Sequence, residues 1–276
     1  MSSLLSFIQP LAREAGALLM SHFGKVEYTY KGDVDLVTVA DKQAEALIVE
    51  RIKKQFPDHG IMGEEGARAN AGSEYVWYID PLDGTTNFAH GYPVFCVSIG
   101  LEHKGKRVAG AIYDPTRDEL FSAEAGHGAE LDGKRIHVSK TDNLGEALVA
   151  TGFPTKKRHK NPNIHFYHHI TMRTHGIRRG GSAALDLAYV ACGRYDAYWE
   201  FILNPWDTAA GVLLVEEAGG KVTGVYNTPF EIVSREVVAT NGVLHPGLTK
   251  ELQNVFENKS IDDLPDLRAV AFKESH

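Results

Sequence analysis

The chain has 276 residues, 43% of them hydrophobic and 24% charged, enough to bury a sizeable core and too apolar for wholesale disorder. Lys and Arg number 29 against 36 Asp and Glu, and the net charge of −7 argues against nucleic acid or an anionic membrane as the main partner. Cys96 and Cys192 each sit in an apolar stretch, which fits buried reduced thiols better than a disulfide framework or a zinc site and points to a reducing, cytoplasmic setting.

At the N-terminus, residues 2–23 are interrupted by Gln9, Pro10, Arg13 and Glu14, unlike a signal peptide, and nowhere do ~18 apolar residues run together, so no membrane span is expected. Leu4, Ile8, Leu11, Ala15 and Leu18 recur at helical spacing; Pro10 should start or kink this first helix and Gly24 end it. A polar loop over 31–35 leads to Thr38-x-x-Asp41, a capping-box pattern opening a helix with Ala44, Leu47, Ile48, Ile52 and Phe56 on its apolar face, closed by Pro57. Residues 75–79 read as a short strand that delivers Asp80 to a turn.

Apolar runs over 94–101, 108–113, 120–123 and 135–138 suggest a meandering, mostly antiparallel sheet. A strand at 148–151 then begins an alternation: helices near 163–175 and 182–192, a strand at 195–200, a helix at 205–218, a strand at 237–240 and a helix at 246–256. The expected organisation is one compact unit: an α+β N-terminal subdomain over 1–145, an α/β C-terminal subdomain over 146–258 and a polar tail over 259–276.

The most informative segment is Asp80-Pro-Leu-Asp83-Gly84-Thr85-Thr86-Asn87-Phe88. Two carboxylates held in a partly buried turn call for a cation, and oxygen-only ligands favour Mg²⁺, Mn²⁺ or Ca²⁺. Gly63-Glu64-Glu65-Gly66 and Pro205-Trp206-Asp207 add acids on Gly-flanked turns or element ends, as a two-metal site requires. Asp207 alone would read as a helix cap. Counting back from Gly84 puts Ile79 at the first position of an EF-hand loop, so that pattern fails, and an aspartyl nucleophile of the Asp-x-Asp kind would need its acids two apart.

Taken together, Trp77 through Phe88, Gly63-Glu64-Glu65 and Trp206-Asp207 with Glu217-Ala-Gly-Gly220 resemble the inositol monophosphatase family of Mg²⁺-dependent, lithium-sensitive phosphatases, from about residue 4 to about residue 258. The segments Ala150-Thr-Gly-Phe-Pro154 and Gly181-Ser-Ala-Ala-Leu-Asp-Leu-Ala188 are similar to its bacterial branch. The resemblance implies a layered α-β-α-β-α sandwich and a homodimer. It implies a first metal at Glu64, Asp80, the Leu82 carbonyl and Thr85, a second at Asp80, Asp83 and Asp207, and a third, weaker one facing Glu64 near the loop carrying Lys31, Asp35 and Asp41. Two to three Mg²⁺ per subunit follow, with Mn²⁺ able to substitute. Gly84 and Thr85 would take the phosphate, Glu64 and Thr85 would activate the attacking water, and Gly181, Ser182, Ala183 and Glu200 would contact a polyol or sugar.

Inositol 1-phosphate is the implied substrate. Fructose 1,6-bisphosphate, 3′-phosphoadenosine 5′-phosphate and histidinol phosphate are rivals within the fold, and an interaction role in transcription antitermination is a rival of another class. Asn204 departs from the basic or aromatic residue that many relatives carry before Pro-Trp-Asp, and the tail past Lys259 has no family counterpart. His165, His168 and His169, the basic run 156–160 and the aromatics Tyr195, Tyr198, Trp199 and Trp206 read as solvated or packed residues rather than sites, and Arg178 and Arg179 as support for the sugar loop or for an interface.

Overall fold

The computed structural model describes residues 3–25, 28–30, 36–153 and 161–259. Helix α1 (Ser3–His22) buries Leu5, Ile8, Leu11, Ala12, Ala15 and Leu19 along one face. The expectation that Pro10 would start it is corrected, because the helix runs through Pro10 from Ser3. Apolar residues on both sides of the proline pack into one core, which offsets the missing backbone donor. After a ribbon of β1 (Tyr28–Tyr30) and β2 (Leu36–Thr38), α2 (Val39–Gln55) opens at the Thr38–Asp41 capping box. Both long helices pack on one face of the larger sheet.

That sheet has eight strands: β3 (Gly60–Gly63), β4 (Arg68–Ala69), β5 (Tyr75–Asp83), β6 (Cys96–His103), β7 (Lys106–Asp114), β8 (Glu119–Glu124), β9 (Gly128–Leu131) and β10 (Lys134–Arg135), ordered β10-β9-β8-β7-β6-β5-β3-β4. All neighbours are antiparallel except β3 with β5. The apolar run at 135–138 is not a strand of its own beyond Arg135; its start pairs with β9, a half-polar strand that carries little periodic signal.

A second sheet, ordered β12-β11-β13-β15-β14, contains β11 (Leu148–Thr151), β12 (Gly176–Arg178), β13 (Ala197–Phe201), β14 (Lys221–Thr223) and β15 (Glu236–Thr240). Helices α5 (Ala183–Ala191) and α6 (Pro205–Glu217) lie between the two sheets and touch both. This explains why nearly every side chain of α5 and of the middle of α6 is buried: a helix covered on two sides has no polar face to spare. Helices α4 (Asn163–Thr171) and α7 (His245–Phe256) cover the outer face of the second sheet through Phe166, Ile170, Leu248 and Leu252. The layers therefore run α-β-α-β-α. No helix among the described residues is long and apolar enough to cross a membrane.

Candidate active site

Because β3 and β5 run parallel with Gly63 opposite Ile79, the next residues, Glu64 just past β3 and Asp80 within β5, stand side by side. The Glu64 amide donates to the Ile79 carbonyl at 3.1 Å, which locks that neighbourhood. The turn expected after Ile79 is corrected: β5 continues through Asp80-Pro81-Leu82 to Asp83, which pairs with Cys96 after an irregular register step. In a regular strand residues three apart face opposite sides. The irregularity between Asp80 and Asp83 turns both onto one cavity.

Gly84 follows with φ of +97°, and a Cβ there would stand 2.9 Å from the Val94 carbonyl oxygen, so only glycine suits the bend. It launches the short α3 (Thr85–Ala89), whose first residue, Thr85, lies with its hydroxyl 3.1 Å from the Leu82 carbonyl and 3.3 Å from Asp41 Oδ1. Asp41 is wholly buried. Its other oxygen accepts from the Thr38 amide at 2.8 Å and from the Thr38 hydroxyl at 2.5 Å. The grouping of Asp41 with a loop is thus revised: it is a helix residue tied to Thr85. Lys31 and Asp35 lie outside the described residues, as do the basic run at 156–160 and the tail past Lys259.

Asp83 is anchored from the second layer, where the Ser182 hydroxyl donates to Oδ2 at 2.6 Å and the Ala184 amide at 2.7 Å. Ser182 also caps α5 by accepting from Leu185, so its hydroxyl is committed to the protein, while Gly181, Ser182 and Ala183 line the cavity. Asp207 lies at the third position of α6 and accepts from the Asn204 amide at 2.7 Å. It is the expected cap and also a cavity residue.

The cavity, about 270 Å³, is lined by Glu64, Asp80, the Leu82 segment, Asp83, Gly84, Thr85, Glu200 and Asp207, with Arg179 and Arg235 also contributing. Burial, then repulsion from Glu64, Asp83 and Asp207, pushes the Asp80 carboxyl well above the usual range, and Glu64 is hydrogen-bonded to it. Burial likewise raises Asp207 against the Asn204 amide, and raises Asp83 despite its donors. Several acids facing one space without enough positive charge is the condition that divalent cations relieve, and an oxygen-only donor set suits a hard cation. As the side chains stand, no three His, Cys, Asp or Glu among the described residues gather around one point to hold an ion. The acids ring the cavity, and Glu64 meets Asp80 directly.

Glu200 closes the lining from β13. Burial pushes its carboxyl up to about 7, although the Tyr198 hydroxyl donates to Oε2 at 2.5 Å. Gly152 makes room for it, since a Cβ there would sit 2.1 Å from Glu200 Oε2. Sequence reasoning missed three supporting residues: Asp41 as partner of Thr85, Gly152 beneath Glu200, and Glu45. Buried Glu45 accepts from the Glu65 amide at 2.9 Å and the Ala67 amide at 3.0 Å, and so shapes the loop that bears Glu64. An acid among the apolar residues of an amphipathic helix was the available signal for it.

Comparison with protein-family profiles matches residues 1–257 to the inositol monophosphatase family. An inositol-1-monophosphatase of Synechocystis is 47% identical over 242 residues, covering 86% of this chain and 84% of that protein. A Pseudomonas aeruginosa protein named Nus factor SuhB is 42% identical over 262 residues, covering 92% and 97%. Among solved structures, inositol monophosphatase from Anabaena superposes with a TM-score of 0.84 at 47% identity, covering 91% of this chain and 96% of that one.

Proposed function

The chain belongs to the inositol monophosphatase family and is a phosphoric monoester hydrolase, and from that premise we propose that it releases phosphate from inositol 1-phosphate or a close polyol ester in a Mg²⁺-dependent reaction. The observation that carries this reading is the delivery of Glu64, of Asp80 and Asp83 on one strand, and of Asp207 from three chain segments to one cavity that also holds Glu200.

Two to three divalent cations, Mg²⁺ or Mn²⁺, held by Glu64, Asp80, the Leu82 carbonyl, Asp83 and Asp207, would supply the Lewis acidity that acidifies a water and neutralises phosphoryl charge. The remaining work belongs to the chain. Glu64 and the Thr85 hydroxyl orient the attacking water and take its proton, the Thr85 hydroxyl facing both the Leu82 carbonyl and Asp41 as acceptors for its own proton. The backbone N–H groups of Gly84 and Thr85, at the start of α3, face the phosphate oxygens. Glu200 takes a hydroxyl of the alcohol beside the Gly181–Ser182–Ala183 loop, and the departing oxygen is protonated from water.

We divide the chain into units at 1–145 and 146–258 with a tail at 259–276, and read the working form as a cytoplasmic homodimer. The free thiols of Cys96 and Cys192 accord with a reducing compartment. A second reading follows from the relative named a Nus factor: a binding role in the transcription machinery with the acidic site retained. Capture of the transcription elongation complex by wild type and by Asp83→Asn alike would establish a role independent of the site.

The test of the main reading is phosphate release from inositol 1-phosphate, fructose 1,6-bisphosphate, 3′-phosphoadenosine 5′-phosphate and histidinol phosphate, with Mg²⁺, with EDTA and with lithium. Release led by inositol 1-phosphate, abolished by EDTA and inhibited by lithium is expected. Release led by another ester would move the substrate, and release indifferent to EDTA would overturn the metal dependence.

A further inference from the structure

Glu64 and Asp207 reach the cavity from different layers. Glu64 stands at the tip of the β3–β4 hairpin, and β4 is the outermost strand of the larger sheet, paired to β3 through Ala69 with Ile61 and Arg68 with Met62. Asp207 stands in the first turn of α6, in the helix layer behind that sheet. So short an edge strand is a weak support for a residue that must keep a fixed place.

Several bonds hold the tip. The Glu64 amide donates to the Ile79 carbonyl of β5, Glu45 takes the Glu65 and Ala67 amides, and the Gly63 amide closes the turn on the Ala67 carbonyl at 2.9 Å. Arg68 adds a tie of another kind. Its Nη1 donates to the Gly63 carbonyl and, at 2.6 Å, to the Ala67 carbonyl, so one guanidinium joins both ends of the turn that carries Glu64. The carbon of the same guanidinium lies over the Trp206 ring, 5.5 Å from its centre. Trp206 directly precedes Asp207 at the start of α6. Arg68 is exposed and Trp206 half-buried, and neither lines the cavity, so the pair joins the hairpin to α6 outside the site itself. A guanidinium suits both tasks at once, because it is planar and lies on an aromatic face while its N–H groups donate to carbonyls; an ammonium keeps the charge but has no plane to stack.

We propose that Arg68 is a positioning residue that ties the Glu64 hairpin to Trp206 and thereby fixes where Glu64 stands relative to Asp207. A hairpin that presents Glu64 correctly for only a fraction of the time binds a cation with an affinity reduced by that fraction, so loss of the tie raises the Mg²⁺ requirement without removing a ligand. The inference rests on the Mg²⁺-dependent reading above.

The experiment takes wild type, Arg68→Lys, Arg68→Ala, Trp206→Leu and the double variant Arg68→Ala/Trp206→Leu through two measurements. One is hydrogen exchange of the amides over 64–67 in metal-free protein, and the other is the Mg²⁺ concentration that half-saturates phosphate release from inositol 1-phosphate. In Arg68→Ala exchange should quicken about 5- to 10-fold over 64–67 and stay unchanged in the middle of β5, and the Mg²⁺ requirement should rise by a similar factor with turnover at saturating Mg²⁺ kept. Arg68→Lys should behave as Arg68→Ala does, and the double variant should be no worse than the worse single, because both changes break one tie. Exchange that quickens equally throughout β5, or a Mg²⁺ requirement unchanged in Arg68→Ala while wild type responds to Mg²⁺, overturns the positioning role alone. Arg68→Lys equal to wild type, or a double variant that shows the product of the single effects, overturns the link through Trp206. Wild type without Mg²⁺-dependent release overturns the reading beneath the inference, and the exchange measurement then still decides whether Arg68 fixes the hairpin.

Discussion

The Ser182 hydroxyl donates to Asp83 Oδ2 at 2.6 Å, so the acidic end of β5 is tied directly to the cap of α5. The Ala184 amide donates to the same oxygen at 2.7 Å, and Cys96 Sγ lies 3.9 Å from it. The first sheet and the middle helix layer thus meet at one carboxylate.

Asp83→Asn keeps an acceptor for both donors and removes the charge. We expect an intact fold by circular dichroism and a loss of turnover of at least ~10²-fold, because a cation that stabilises the transition state loses a ligand charge. Asp207→Asn should behave alike. Near-normal turnover at saturating Mg²⁺ would take both residues out of the catalytic site.

Glu200 sits over Gly152 and receives the Tyr198 hydroxyl. Glu200→Gln should change the ranking of substrates more than it slows phosphate release in general. Gly152→Ala, which forces the carboxyl to move, should alter the same ranking. Equal losses on every phosphate monoester would count against Glu200 as a hydroxyl contact.

Glu45 holds the Glu64-bearing loop through two amides. Glu45→Ala leaves both half-buried amides without their acceptor and loosens Glu64. A lower urea midpoint together with a raised Mg²⁺ requirement for turnover is the expected pair of effects. An unchanged Mg²⁺ requirement would limit Glu45 to stability.

His245 is buried, with Thr223 Oγ1 at 2.8 Å from Nε2 and Thr240 Oγ1 at 3.0 Å from Nδ1. Burial, then the charge of Lys221, lowers its pKa to about 4 from the ordinary 6.5. The folded state keeps the imidazole neutral while the unfolded state takes up a proton near 6.5. Its contribution is therefore fully present above that value and is lost as pH falls toward 4. Buried Asp80 and Asp207, raised in the folded state, act in the opposite sense, so the readout is a difference. The drop in urea midpoint between about pH 7.5 and about pH 5 should be smaller in His245→Gln than in wild type. Identical drops would remove the effect.

Much of the fold was legible in the sequence, α1 and α2 through their periodic apolar faces, and α5, α6 and the cores of β6, β7 and β8 through apolar runs. The strands β9, β12 and β14 were not, since three or four half-exposed residues carry too little alternation to stand out. Asp80 and Asp83 could be singled out by their Pro and Gly neighbours, but their common orientation depends on the register step in β5, which arises from pairing with β6. Asp41, Glu45 and Gly152 act across the fold on Thr85, the Glu64 loop and Glu200, and although the two acids stand out on their helix, sequence spacing does not say what they touch.

The most direct measurement is Mg²⁺ binding by calorimetry alongside phosphate release from inositol 1-phosphate, on the same preparations of wild type and Asp83→Asn. Wild type should bind Mg²⁺ and turn over in proportion to the bound metal, and Asp83→Asn should bind less Mg²⁺ and turn over at least ~10²-fold more slowly. Turnover by wild type without Mg²⁺ binding, or equal binding and turnover in the two proteins, would contradict a metal-dependent site built on these carboxylates.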